Sequence, residues 1–448
     1  MRLVRTGVTE EVTDLLQHLI RNACVNDGAV ESGQEIRSVD VLRAYLDGSG
    51  LDIETYEPEA GRASLIARIE GTDATAPTVL LMGHTDVVPA NPDGWQRDPF
   101  GGELVDGEVW GRGAIDMLNL TSSMAVATKR LAAEGFKPKG TLIYLAVADE
   151  EALGDHGAKW LTDNQPDDVA ATYVLTESGG IPMPSGGGPK LPVIVGEKGT
   201  FWCRLTVKGT PGHASSPLRT DNALVKAAEV VRRIAEYRPE TQIHEIWRRF
   251  VEGMEFPAEL RDPLLDPDRL YDLVVDFPSI GLARQAHACT HTTFAPTVMH
   301  AGTKTNVIPD RVELEIDIRT LPGQTGDEVR AMLRDALGDL ADSVEISATT
   351  DETSTASPID TPLWDALERV TTKLTQHSGL IPFLTVGATD ARFFRRQGIT
   401  SYGFGLFSDR ISFDDFSSMF HGDDERVDQE SLRLSTEMWH ALAHDLLS

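Results

Sequence analysis

Three short apolar runs, each ending in side chains able to hold a metal ion, constrain this chain more than any other feature. Thr78-Val-Leu-Leu-Met leads into Gly83-His84-Thr85-Asp86, Thr141-Leu-Ile-Tyr-Leu-Ala-Val-Ala leads into Asp149-Glu150-Glu151, and Thr172-Tyr-Val-Leu-Thr leads into Glu177. Runs of this length read as buried strands, and an open α/β sheet binds its ligands at the carboxyl ends of its strands. A parallel sheet would bring His84, the Glu150–Glu151 pair and Glu177 to one edge. Adjacent acids there can divide the work, one holding a metal while the other moves a proton.

The rest of the pattern supports an α/β architecture. Residues 8–48 carry helical spacing in two blocks, strand-like segments follow at 64–70, 78–82 and 141–148, and a helix at 120–134 is stopped by Gly135. Strands alternating with helices predict a largely parallel sheet. Beyond the Gly/Pro-rich stretch 179–192 the order becomes strand 201–207, helix 222–237, strands 294–301 and 312–320, helix 327–337 and strand 344–349. That β-α-β-β-α-β order predicts a separate small α/β sandwich. Residues 238–293, rich in Pro, Asp and Arg, read as an irregular insert, and 358–448 returns to longer helices. A chain of 448 residues exceeds one ordinary core. The expected division is a catalytic domain from 1–196 and 353–448, interrupted by a lid or dimerisation domain at 197–352.

A formal net charge of -29 excludes an electrostatic partnership with nucleic acid or an anionic membrane. Cys24, Cys203 and Cys289 lack CxxC spacing and read as buried small hydrophobes in a reducing compartment. Met1-Arg-Leu-Val-Arg-Thr-Gly7 does not read as a signal peptide, and no apolar run approaches the roughly 20 residues needed to span a bilayer. The expected location is the cytoplasm.

His84, Asp116, Glu151, Glu177 and His421 together offer two imidazoles and three carboxylates, a set suited to zinc or another borderline divalent ion. Five ligands serve two ions if one carboxylate bridges. Asp116 is the best bridge, because Gly111-Arg-Gly-Ala-Ile-Asp116 puts it after a glycine-rich bend. Asp86, two residues beyond His84, can take the proton of that ring's other nitrogen and fix its tautomer. Singly, each of these residues also reads as a turn, surface or core residue.

The strings Gly83-His-Thr-Asp-Val-Val-Pro89, Gly111-Arg-Gly-Ala-Ile-Asp-Met117, Asp149-Glu-Glu151, Gly209-Thr-Pro-Gly-His-Ala-Ser215, Thr305-Asn-Val-Ile-Pro309 and Gly387-Ala-Thr-Asp-Ala-Arg392 resemble, in order, those of the M20 metallopeptidases. The resemblance implies a zinc-exopeptidase (phosphorylase/hydrolase-like) catalytic domain with an inserted α/β sandwich lid or dimerisation domain. It implies two Zn2+ per chain, with Co2+ or Mn2+ also accepted by the ligand set. His84 and Glu177 would bind one ion, Glu151 and His421 the other, with Asp116 bridging and Glu150 as general base. His213 would donate to the oxyanion, often across a homodimer, while Asn306, Arg319 and Arg392 would contact the substrate and its carboxylate. The expected activity is hydrolysis of the amide bond of N-acyl amino acids or short peptides with a free carboxylate. The alternatives are an aminopeptidase-type zinc exopeptidase and a catalytically silent binding protein of the same fold.

Overall fold

The structure is a computed structural model that describes residues 7–278, 280–375, 377 and 379–448. Most of the amino-terminal string read against a signal peptide, residues 1–6, lies outside the described residues. Among the described residues, the two largest of four sheets organise the chain. The larger has nine strands, of which Leu142–Val147, Val79–His84, Tyr173–Thr176 and Thr400–Gly403 lie side by side in that order. These four are mutually parallel.

The outer strands depart from the expected parallel arrangement. Asp52–Glu59 and Arg62–Ile69 join antiparallel on one side, and on the other Leu191–Glu197 meets Thr400–Gly403 antiparallel through a single pair. A hairpin register between 52–59 and 62–69 needs no crossover helix.

The central strands read as unbroken apolar runs because both faces are covered. Along Leu142–Val147, residues Leu142, Tyr144 and Ala146 enter one core while Ile143, Leu145 and Val147 enter the other. Val79–His84 divides likewise, with Leu81 on the first face and Leu80 and Met82 on the second. Helices Val8–Arg21, Ile36–Leu46, Leu118–Ala133 and Gln429–Leu447 cover the first face. Ala158–Asn164 and Ala391–Arg396 cover the second. Gly135, at φ +72°, ends Leu118–Ala133 as its sequence predicts.

The smaller sheet is antiparallel, in the order Thr293–Ala301, Arg311–Thr320, Gly199–Lys208, Val344–Glu352. Helices Ala223–Glu236 and Gly326–Leu337 pack on it around a separate core. The second of these helices starts at a capping box between Thr325 and Glu328. The chain leaves the large sheet at Lys198 and returns at strand Thr355–Ala356.

The described residues of 238–293, a span read as irregular, instead contain four helices: Glu245–Gly253, Ala258–Leu264, Pro267–Val275 and Ile280–Thr290. Pro257 and Pro267 bound the middle two, and Pro263 lies inside one of them, while Ile246, Trp247, Phe250 and Val251 recur at helical spacing in the first. Their apolar residues Ile246, Trp247, Phe250, Leu264 and Leu270 join the core of the large sheet. Phe250 meets Phe383 edge-on at 5.4 Å between ring centres. The span 197–352, expected as one inserted domain, therefore divides between the two cores.

Candidate metal centre

His84 is the last residue of its strand, Glu177 follows the strand Tyr173–Thr176, and Glu150 and Glu151 occupy a single 3-10 turn just beyond Leu142–Val147. Since these strands are parallel neighbours, their ends meet. Asp116 arrives on the loop between strand Glu108–Trp110 and helix Leu118–Ala133. Gly113 in that loop sits at φ +89°, where a Cβ would fall 2.6 Å from Leu118 Cδ1, so the bend needs glycine. His421 comes from the far end of the chain with φ +54°, and Asp149 and Leu153, on either side of the acidic turn, are also left-handed at +70° and +79°. Sparsely populated backbone of this kind gathers at functional sites.

Asp116 turns one oxygen to each side. Its Oδ1 lies 3.3 Å from His84 Nε2 and its Oδ2 lies 3.2 Å from His421 Nε2. Glu151 Oε2 is 3.2 Å from the same His421 nitrogen, and Glu177 Oε2 is 3.9 Å from His84 Nε2. Two ligand groups result, His84–Asp116–Glu177 and Asp116–Glu151–His421, each with donor atoms within 4.8 Å of one another. Asp116 is common to both.

The electrostatics are those of a site built for added positive charge. Burial and the nearby Asp116 carboxylate push Glu177 well up, and burial with the Glu177 charge does the same to Glu150. Glu151 is raised by burial and by Asp116. Hydrogen bonds donated to the Asp116 and Glu151 carboxylates hold His421 at about 10. At His84 burial opposes the charged ring, but the surrounding carboxylates outweigh it and hold the imidazole well above its ordinary value. Glu151 Oε1 is buried without a hydrogen-bond partner. Divalent ions fit here: they would satisfy that oxygen and neutralise the crowded carboxylates, and the histidine and carboxylate donors suit a borderline ion.

The family model for peptidase family M20/M25/M40 matches residues 80–445. The chain belongs to this family. As an M20 member it is a metal-dependent hydrolase of amide bonds with the family's α/β fold. An N-fatty-acyl-amino acid synthase/hydrolase, PM20D1, from Xenopus tropicalis is 28% identical over 391 residues, covering 85% of this chain and 74% of the relative. A succinyl-diaminopimelate desuccinylase from Maricaulis maris (strain MCS10) is 28% identical over 442 residues, covering 95% and 93%. The crystal structure of an M20 family metallo-carboxypeptidase from Sulfolobus solfataricus superposes with a TM-score of 0.73 at 16% identity, covering 98% and 99% of the two chains.

Around this M20 centre the supporting residues differ from those expected. Asp86 does not turn its carboxylate to His84: the acceptor for Nδ1 is the Asp86 main-chain carbonyl at 2.9 Å, with the nearer carboxylate oxygen at 3.6 Å. That carboxylate accepts instead from the backbone N–H groups of Glu150 at 3.3 Å and Glu151 at 3.1 Å, and from Asn26 Nδ2 at 2.9 Å. Behind it a buried network continues, with Arg62 bonded to both oxygens of Glu35 and to Asp149 Oδ1 at 2.6 Å. Asn26, Glu35 and Arg62 come from separate segments and carry no local signal that could have marked them.

Arg392, expected on a substrate carboxylate, is buried and donates to the carbonyls of Thr389 at 2.6 Å and Leu153 at 2.7 Å. Its neighbour Thr389 donates from N and Oγ1 to Glu197 Oε2 at 2.7 and 2.9 Å, and Thr355 donates to Glu197 Oε1 at 2.9 Å. Both crossings between the sheets thus converge on Glu197, and the acidic turn is clasped from there. Arg319 is likewise engaged, by both oxygens of Asp317 and by Thr200 Oγ1 at 2.9 Å. His213 and Asn306 share an exposed ribbon, where Gly212–His213 pairs with Val307–Ile308 and Ala214 N donates to Asn306 O at 3.1 Å.

Proposed function

We propose that this protein is a dinuclear zinc amidohydrolase that cleaves the amide bond of N-acyl amino acids or short peptides carrying a free carboxylate. The observation that carries it is Asp116, shared by two candidate ligand groups, with the base candidate Glu150 next to Glu151. His84, Asp116 and Glu177 would hold one ion, and Asp116, Glu151 and His421 the other. Such ions supply Lewis acidity and lower the pKa of bound water.

The chain's own residues then do the proton work. Glu150, whose carboxyl burial pushes up, takes a proton from the attacking water and returns it to the leaving amine. Asp86 keeps Glu150 and Glu151 in register through their amides. His213 and Asn306 face the substrate from the exposed ribbon, His213 as oxyanion donor reaching a second copy's centre in a homodimer. Arg319 and Arg392 act as structural residues in this reading, because their guanidinium groups already have acceptors. The three free, buried cysteines suit a reducing compartment, which supports a cytoplasmic location. Among the described residues no helix is long and apolar enough to cross a membrane.

The names of the two relatives support an N-acyl substrate and leave the acyl chain as the variable, fatty-acyl in one and succinyl in the other. Release of free amino acid from N-acetyl, N-succinyl and long-chain N-acyl amino acids, alongside dipeptides with and without a free amino terminus, tests this. The reading requires chelator-sensitive release from at least one N-acyl amino acid. Cleavage confined to substrates with a free amino terminus would instead support an aminopeptidase.

A further inference from the structure

Helix Leu118–Ala133 starts just after Asp116 and, at 16 residues, runs about 24 Å from the catalytic centre to its cap at Glu134. Helix Gln429–Leu447 passes that end and presents His440 and His444, one turn apart on the same face. His440 Nε2 lies 3.0 Å from Glu134 Oε2. One ligand atom each from Glu134, His440 and His444 lies within 4.8 Å of the others. The two imidazoles are 4.9 Å apart between centres, and the edge of Phe136 at 4.4 Å fixes the ring of His444. Glu134 and His444 are exposed and His440 half-buried, so an ion can enter and keep water in its remaining positions.

We propose that Glu134, His440 and His444 form a third divalent-metal site, separate from the catalytic pair, that takes a borderline first-row ion such as zinc. Two imidazole nitrogens and one carboxylate oxygen match that ion's preferences, and a chain of net charge -29 raises the local concentration of cations. A plain Glu134–His440 ion pair would account for two of the residues. His444 packs on Phe136 in either case, and a metal site would add its imidazole nitrogen as a third ligand atom. The ion would fasten the outer end of the helix that follows Asp116 to the carboxyl-terminal helix, and would stabilise the fold by mass action.

The test uses untagged holoenzyme, dialysed until only tightly held metal remains and then titrated with Zn2+ by calorimetry, with total bound zinc measured in parallel. Wild type should take up one further equivalent and melt at a higher temperature in its presence. His444→Ala and Glu134→Gln should each weaken that uptake by roughly tenfold or more, lose the zinc-dependent rise in melting temperature, and keep their tightly held metal. No further equivalent in wild type, or uptake unchanged in both variants, would overturn the site. Neither readout depends on turnover, so the result is independent of the substrate proposed above.

Discussion

Glu425 Oε1 accepts the backbone N–H of Asp116 at 3.0 Å, tying the loop of this candidate ligand to the segment that carries His421. The same carboxylate accepts from Ile115 N at 2.7 Å, Gly113 N at 3.0 Å and Arg112 Nη1 at 3.0 Å, and it is fully buried. Two loops more than three hundred residues apart in sequence thus form one hydrogen-bonded unit.

Replacing Glu425 with Gln would turn an amide NH2 toward a group of N–H donors. A buried donor left unsatisfied costs about 1 to 3 kcal/mol. Glu425→Gln should therefore lower the melting temperature and reduce metal bound per chain together, measured by calorimetry and elemental analysis. Metal content at the wild-type level in a destabilised variant would show that the tie serves stability alone.

Arg392 distinguishes anchoring a substrate from supporting the acidic turn. Arg392→Lys removes the forked contact with Leu153 O and Thr389 O but keeps the charge. The geometry predicts a fall in kcat of about tenfold or more with KM nearly unchanged, since the turn carrying Glu150 loses support. A rise in KM alone, larger for a free-carboxylate substrate than for its amide, would return Arg392 to the role of carboxylate anchor.

Acid should weaken the fold through His291. This ring is fully buried, receives or gives hydrogen bonds at Thr241 Oγ1 and Thr290 Oγ1, and its carbonyl accepts from Lys198 at 2.7 Å. Burial, with His287 stacked at 4.5 Å, lowers it from 6.5 to about 4. Between those values the unfolded chain binds the proton and the folded chain does not, so stability falls as pH drops from about 6.5 toward 4, by about 3 kcal/mol for this group. Denaturant midpoints of wild type and His291→Gln across that range should show a flatter acid limb in the variant. Equal slopes would remove His291 as a source of acid sensitivity.

The strand ends were legible in the sequence because strands buried on both faces write continuous apolar runs, and a candidate ligand at the end of each run stands out. Asp116 was legible through the glycines that bend its loop. The prolines of 257–267 mask only the two short helices they bound or interrupt, whereas the spacing of Ile246, Trp247, Phe250 and Val251 was there to be read as a helix. Proximity in sequence misled at Asp86, whose carbonyl rather than carboxylate meets His84. Asn26, Glu35, Arg62 and Glu425 act only through partners distant in sequence, so no local pattern marks them. Motifs also place Arg319 and Arg392 near a site without fixing which acceptors their side chains reach.

In the proposed centre Asp116 joins two metal positions served by the base Glu150. Its most direct test is metal per chain, by elemental analysis, for wild type, Asp116→Ala and Glu150→Gln, with turnover on the best N-acyl amino acid before and after chelation. Two ions are expected in wild type and Glu150→Gln, with kcat in the latter lower by about a hundredfold or more, and Asp116→Ala should lose metal and activity together. Chelation should abolish wild-type turnover and added zinc should restore it. A wild-type chain that turns over fully without metal, or a Glu150→Gln enzyme as active as wild type, would rule out a metal centre with Glu150 as its base.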